Sequence, residues 1–262
     1  MEKIRRTSQI DDNSRIKISL KKLYIKIREL RISNYLYIEH LFKAKSGLEI
    51  GGPSKVFRNL GFIPLYKIIN RLDGCNFSNT TIWEGNIATG ENYKYYKNKK
   101  GYQYVSEATN LSLIPNSKYD FVISSNCLEH VANPLKAIQE WIRVIKNDGL
   151  ILIVLPNKNY CFDHYRPITE FSHLLNDFQE NVNEEDLTHL EEILKLHDLK
   201  LDKRAGGFDN FWKRSLSNID NRTLHHHVFS ISLLAEIFNY FNIKIILTHE
   251  GKELTILGMK PE

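Results

Sequence analysis

The 262-residue sequence is poor in cysteine (3), methionine (2), tryptophan (3) and proline (7). Cys75, Cys127 and Cys161 form no CxxC pair and no zinc-ligand spacing, and their number is odd. A disulfide framework is thereby disfavoured, and free thiols in a reducing compartment are expected. No stretch approaches the ~20 apolar residues that a spanning helix needs. Met1 to Ile10 is charged and lacks an apolar signal segment, so a cytoplasmic protein is expected. Positive charge over the main body is missing too. The net charge of +5 sits at the front, where residues 1–45 hold twelve Lys or Arg against five Asp or Glu; the remainder is slightly negative. That distribution disfavours a nucleic-acid partner.

What is present reads as one α/β fold. Residues 14–42 carry an apolar stripe (Ile16, Leu20, Leu23, Ile27, Leu30) with lysines between, which predicts a helix broken near Ser33–Asn34 and resumed by Tyr35, Ile38 and Leu41. Strand signals follow at Gly47–Ile50, Ile68–Asp73, Tyr102–Val105, Tyr119–Ser124 and Leu150–Leu155. Helices are expected at Lys55–Asn59 and Pro134–Ile145, the second ended by Asn147-Asp148-Gly149 as a C-cap. All-apolar strands alternating with helices indicate a parallel sheet covered on both faces. From 157 to 229 the composition turns to His, Asp and Glu, with helices expected at 168–180, 184–196 and 208–217. Ser230 is placed to N-cap a helix Ile231–Phe241, and Ile243–Thr248 with Glu253–Gly258 predicts a closing antiparallel hairpin. The expected division is a basic helical extension (1–45), a Rossmann-like core (46–156), an inserted helical cap (157–229), and a final helix with hairpin (230–262).

The strongest local signal is Leu48-Glu49-Ile50-Gly51-Gly52-Pro53-Ser54, a strand running into small residues. Such a turn brings a ligand close to bare main chain. The dinucleotide fingerprint needs three spaced glycines, and Pro53 and Lys55 stand where two of them would be, so a pyrophosphate cradle is disfavoured. Asp73, 22 residues after Gly51, has the spacing of a ribose-binding carboxylate, with Glu84 as its rival; Glu107 follows the third strand. Leu48–Ser54, Glu107-Ala108-Thr109, Tyr119–Ser124, Leu128-Glu129-His130-Val131 and Asn147–Leu150, in that order, resemble the class I methyltransferases, most of all their type 11 subgroup. The resemblance implies a seven-stranded Rossmann-like sheet with its last hairpin antiparallel. It also implies S-adenosylmethionine as cofactor and S-adenosylhomocysteine as product. Glu49, Gly51, Gly52, Pro53, Asp73, Glu107, Ala108, Ser125 and Asn126 would then line the cofactor.

Phe162–Pro167, Asp186-Leu187-Thr188-His189, Leu196-His197-Asp198 and Leu224–Phe229 resemble methyltransferases of bacterial surface-polysaccharide clusters, some of them fused to glycosyltransferases. Ser125-Asn126-Cys127-Leu128 departs from the Pro-Pro strand end of base-amine methylases. The expected reaction is therefore O-methylation of a sugar, a nucleotide-activated sugar or a phosphorus-containing decoration of capsule or lipopolysaccharide. A hydroxyl acceptor needs a base, and eight of ten histidines fall between His130 and His227. His164 ranks first as that base, positioned by Asp163, with His227 also in the catalytic set. His130, His173, His189, His225 and His226 are expected to contact the acceptor, and Arg166 to hold an anionic group. No metal is expected; Asp186 and His189 alone have helix-face spacing for one. The competing readings are N-methylation of a small metabolite, a nucleotide-dependent oxidoreductase or epimerase, and a non-catalytic partner of a glycosyltransferase. A homo-oligomer is compatible with all of them.

Overall fold

Leu150 to Leu155 are six consecutive buried residues, and their alternation divides them between two cores. Ile151, Ile153 and Leu155 enter one cluster with Leu135, Ile138, Trp141, Leu234 and Phe238. Leu150, Leu152 and Val154 enter the other with Tyr35, Ile38, Phe42, Phe57 and Tyr66. A strand sends successive side chains to opposite faces, so only a sheet covered on both sides accepts such a run. Each of these side chains contributes about 1.5–3 kcal/mol relative to exposure.

The structure is a computed structural model that describes residues 31–262. Helix α1 (Tyr35–Phe42) is the described part of the expected N-terminal extension; the stripe from Ile16 to Leu30 lies outside the described residues. The main sheet contains β1 (Ser46–Ile50), β2 (Arg71–Asn76), β5 (Gly90–Tyr96), β6 (Lys99–Val105), β7 (Tyr119–Ser125), β8 (Ile145–Pro156), β9 (Lys244–Glu250) and β10 (Glu253–Met259). Its order is β5-β6-β2-β1-β7-β8-β10-β9, and β3 (Thr80–Thr81) with β4 (Gly85–Asn86) makes a separate small hairpin. Strands β6, β2, β1, β7 and β8 are parallel, and β10 and β9 close the far edge antiparallel. This is the Rossmann-like α/β architecture expected, with one addition. Strand β5 pairs antiparallel with β6 and makes eight strands rather than seven. Its segment is polar apart from three tyrosines, of which Tyr93 and Tyr95 alternate inward and are buried.

On one face lie α2 (Pro134–Val144) and α7 (Ile231–Tyr240). Asn133 caps α2 by accepting from the Lys136 N–H, and Ser230 caps α7 by accepting from Leu233. Residues 157–229 hold α3 (Phe171–Gln179), α4 (Leu190–Leu196), α5 (Phe208–Leu216) and the short α6 (Asn218–Asn221). No helix among the described residues is long and apolar enough to cross a membrane.

Three local expectations need correction. Helix α2 stops at Val144, not at Asn147–Gly149. Ile145 already pairs with Tyr119, and the intervening residues form an irregularity before Leu150 meets Phe121. Lys55–Asn59 is a three-residue 3-10 turn, Lys55–Phe57. Strand β2 begins at Arg71, because Ile69 is spent in the core beneath the sheet. That shift of three residues moves Asp73 off the strand end.

Gly101 marks a close approach of β6 to β2: a Cβ there would stand 1.8 Å from the Leu72 carbonyl oxygen and 2.8 Å from Asp73 Oδ1. The obstacle is backbone and cannot rotate away. Gly101→Ala is expected to lower unfolding free energy by about 1–3 kcal/mol, the usual range for overpacking. A denaturant titration checks it, and an unchanged midpoint would show that the strand yields freely.

Candidate active site

The C-terminal ends of β1, β2, β6 and β7 converge on one edge. Gly51 is exposed at the end of β1 in the left-handed region (φ 79°), and its N–H donates to the Cys75 carbonyl. A Cβ at Gly51 would lie 2.8 Å from Cys127 Cβ and Sγ, so the turn requires glycine on both counts. Glu49 is fully buried. Its carboxylate accepts from Tyr66 Oη (2.9 and 2.8 Å), Tyr93 Oη (2.5 Å) and the Ser54 N–H (3.0 Å). Burial pushes its carboxyl up, and those donors pull it back. Glu49 thus braces the Gly51–Ser54 turn from below. Gly52 offers its carbonyl to Asn76 Nδ2 at 3.1 Å, and Pro53 is half-buried beside it.

Asp73 sits inside β2 opposite Leu48. Its carboxylate is taken by Arg71 Nε (2.9 Å), the Tyr102 N–H (2.9 Å), Tyr119 Oη (2.7 Å) and Lys118 Nζ (3.4 Å). The residue at the strand end is Asn76, and Glu84 is exposed on the small hairpin. Glu107, one residue beyond the end of β6 and Ser106, stays half-exposed. Its Oε1 accepts from Arg222 Nη2 at 2.6 Å. Ala108 is buried and offers its carbonyl to Trp141 Nε1. Ser125 is buried, and Asn126 is exposed at φ 49° on the end of β7.

Above β7 and β8, residues 224–229 run back from the cap along the 128–132 loop. The His226 N–H donates to the Glu129 carbonyl, and His227 Nε2 reaches the Ala132 carbonyl at 3.0 Å. Asp163 and His164 point apart. Asp163 is 3% exposed and pairs with His225 Nδ1 (2.5 Å) and Arg166 Nη1 (3.1 Å). His164 is partly exposed, meets Asp198 Oδ2 at 3.0 Å and stacks against the exposed Tyr165. Burial alone would raise Asp163, but His225 and Arg166 reverse this and hold its carboxyl well below the usual range. Burial likewise opposes charge on His225, and Asp163 with Glu129 overcomes it and raises the imidazole.

Glu129, which the sequence reading left without a role, is the unusual group here. It is 2% exposed, and neither carboxylate oxygen has a hydrogen-bond partner among the described residues. Burial pushes its pKa up to about 7. Ligand atoms of Glu129, His130 and His225 lie within 4.8 Å of one another, and Trp83 packs on the His130 ring. Arg166 is not free to hold an anion. It is 1% exposed and spends its guanidinium on Asp163, Glu192 and the carbonyls of His225 and His226. His226 is buried against Asn218 and pushed down to about 4 by burial. His173, His189 and His227 gather with Asp177 in a separate cluster, whereas the Asp186 carboxylate turns back onto Thr188.

The methyltransferase-domain family model (Methyltransf_23) matches residues 41–247, most of the chain. The motif spelling resembles the type 11 subgroup, but this is the model that matches. A search of curated proteins finds no match. Among solved structures, a SAM-dependent methyltransferase from Methanosarcina mazei is 17% identical, with 86% of this chain and 97% of that one covered and a TM-score of 0.48. One from Mesorhizobium loti is 8% identical over 87% and 98%, with a TM-score of 0.49. One from Aquifex aeolicus is 14% identical over 89% and 96%, with a TM-score of 0.44. On the family match, which spans the parallel strands, the strand-end turn and the cap, the chain belongs to the methyltransferase-domain family of S-adenosylmethionine-dependent enzymes.

Proposed function

We propose that the protein methylates a hydroxyl oxygen of a sugar or nucleotide-activated sugar in the assembly of bacterial capsule or lipopolysaccharide, a cytoplasmic step. The observation that carries this reading is the buried, unpartnered Glu129 carboxylate beside the Asp163–His225 pair. Buried acceptors require donors, and sugar hydroxyls are such donors. The surface-polysaccharide resemblance of Phe162–Pro167 and Leu224–Phe229 points the same way, and these segments contribute Asp163, Arg166 and His225.

The strand-end residues fit a sulfonium nucleoside. Gly51 gives it exposed main chain at the end of β1 with Cys127 packed against it, and Asn76 and Glu107 give polar side chains at or just past successive strand ends. Asn76 takes the ribose-side position expected of Asp73, whose carboxylate is committed within the sheet. When bound, S-adenosylmethionine supplies an electrophilic methyl for in-line displacement. The chain's own task is to orient the acceptor and remove its proton. Asp163 accepts from His225 Nδ1, which leaves Nε2 as the atom that takes the hydroxyl proton; Asp163 is a positioning residue. Glu129 accepts from a neighbouring hydroxyl and fixes the ring. With Arg166 consumed internally, a free sugar hydroxyl is favoured over a phosphorus-containing decoration.

Two measurements test this. S-adenosylmethionine and its demethylated product should each raise the melting midpoint while NAD leaves it unchanged; stabilisation by NAD alone would restore the oxidoreductase reading. Incubation with the cofactor and a panel of nucleotide sugars, read by mass spectrometry, should add one methyl to a sugar oxygen. Methylation confined to amine nitrogens would overturn the acceptor assignment.

A further inference from the structure

We propose that His173, Asp177, His189 and His227 form a binding site for a divalent transition-metal ion of zinc type, which staples three segments of the cap together. The four residues come from three separate segments. His173 and Asp177 share one face of α3 at i and i+4, His189 immediately precedes α4, and His227 lies between α6 and α7. Each offers one ligand atom, and all four atoms lie within 4.8 Å of one another.

The spacing is close to that of a coordination shell. Bonds of 2.0–2.2 Å in a tetrahedron put neighbouring ligand atoms about 3.3–3.6 Å apart. His173 Nε2 stands 3.3 Å from Asp177 Oδ2, within that range, and 2.9 Å from His189 Nε2, somewhat closer.

Hydrogen bonding alone leaves the cluster unsatisfied. Among the described residues Asp177 Oδ2 is buried without a hydrogen-bond partner, although His173 Nε2 stands 3.3 Å and His227 Nε2 3.6 Å from it. His227 is 1% exposed, and its Nδ1 is also unpartnered. A carbonyl only accepts, so the Ala132 oxygen holds the proton on His227 Nε2 and leaves the lone pair on Nδ1. A carbonyl that fixes the tautomer of a ligand histidine is the usual outer partner in metal sites. A cation satisfies at once the buried oxygen and the buried lone pair, and takes the place of the hydrogen bond between the two facing imidazoles.

Three imidazoles and one carboxylate suit zinc and its first-row neighbours, not magnesium or calcium. Four protein ligands close the shell, which is the structural kind of site rather than one holding a reactive water. The adjoining contacts agree with a staple. Asn133 Nδ2 donates to the Asp177 carbonyl at 2.8 Å, tying α3 to the loop, and His227 is two residues from His225. The ion would therefore set the position of the segment that carries the proposed base, without entering the reaction. The site is independent of which acceptor is methylated.

The test uses full-length protein without a polyhistidine tag, analysed for metals by inductively coupled plasma mass spectrometry. About one zinc per chain is expected, and cobalt exchanged into the site should give the visible absorption of tetrahedral Co(II). Chelation should lower the melting midpoint by roughly 5–10 °C, and added zinc should restore it. His173→Gln, at a side chain 38% exposed and so tolerated by the fold, should lose the ion, while His164→Gln keeps it. Two results would overturn the proposal. One is wild-type protein that carries no stoichiometric metal and gains no thermal stability from zinc. The other is an ion retained equally by His173→Gln and His189→Gln.

Discussion

Replacing His225 by glutamine is expected to lower kcat by about 10²–10⁴-fold, the contribution of a positioned general base, while cofactor affinity stays within a few-fold. The imidazole is 8% exposed with Nδ1 committed to Asp163, so only Nε2 remains to take a proton. Its pKa is raised, with Asp163 and Glu129 overcoming the effect of burial. A group protonated below its pKa is no base there, so wild-type kcat should climb as pH rises through that raised value and then level off. The glutamine variant should lose this limb. His164→Ala is the control, since His164 is paired with Asp198 on the rim of the cap rather than with the Asp163 dyad. Near-normal turnover in His225→Gln together with collapse in His164→Ala would return the base to His164, the first-ranked candidate from the sequence.

That difference shows where sequence reading runs out. The parallel strands were legible because a doubly covered strand must be apolar on both faces, as Phe121–Ile123 and Leu150–Leu155 are. The cap of α7 was legible because a serine before an apolar helical stripe has a local task. Strand β5 was not, because Tyr93 and Tyr95 in a polar segment look like a loop until the second is seen on Tyr66 and the first on Glu49. Asp73 has the spacing of a ribose ligand, and spacing cannot reveal that Tyr119, 46 residues away, consumes its carboxylate. Likewise Asp163 and His164 are adjacent in sequence, yet adjacent side chains in an irregular loop diverge. The true partner, His225, comes from 62 residues downstream. Glu129 carried no signal of its own; its interest is the lack of partners, which only packing discloses.

Arg166→Met should be the most damaging single change to stability, with a loss of about 3–5 kcal/mol in unfolding free energy. The guanidinium is 1% exposed and serves Asp163, Glu192 and two main-chain carbonyls together. Methionine fills much of the volume but leaves the Asp163 charge buried with His225 alone and strands both carbonyls. The sign of the pH dependence follows from Asp163. Its folded pKa is depressed, so its stabilising contribution is present above the unfolded value of about 3.9 and is lost as pH falls through the folded one. Without Arg166 the folded pKa rises towards the ordinary range, and acid then protonates the buried carboxyl in the variant before the wild type. The gap between the two proteins should therefore be widest above about pH 4 and narrow in stronger acid. His225 works in the other direction. Its raised pKa stabilises below about 6.5, and that contribution fades as pH rises through the folded value in both proteins. Urea unfolding of the pair across this range decides the matter. A gap under ~1 kcal/mol, the size of an exposed ion pair, or one that does not change with acid, would mean that Arg166 does not clamp the segment presenting His225. In that case the dyad must be held by the cap's apolar contacts instead.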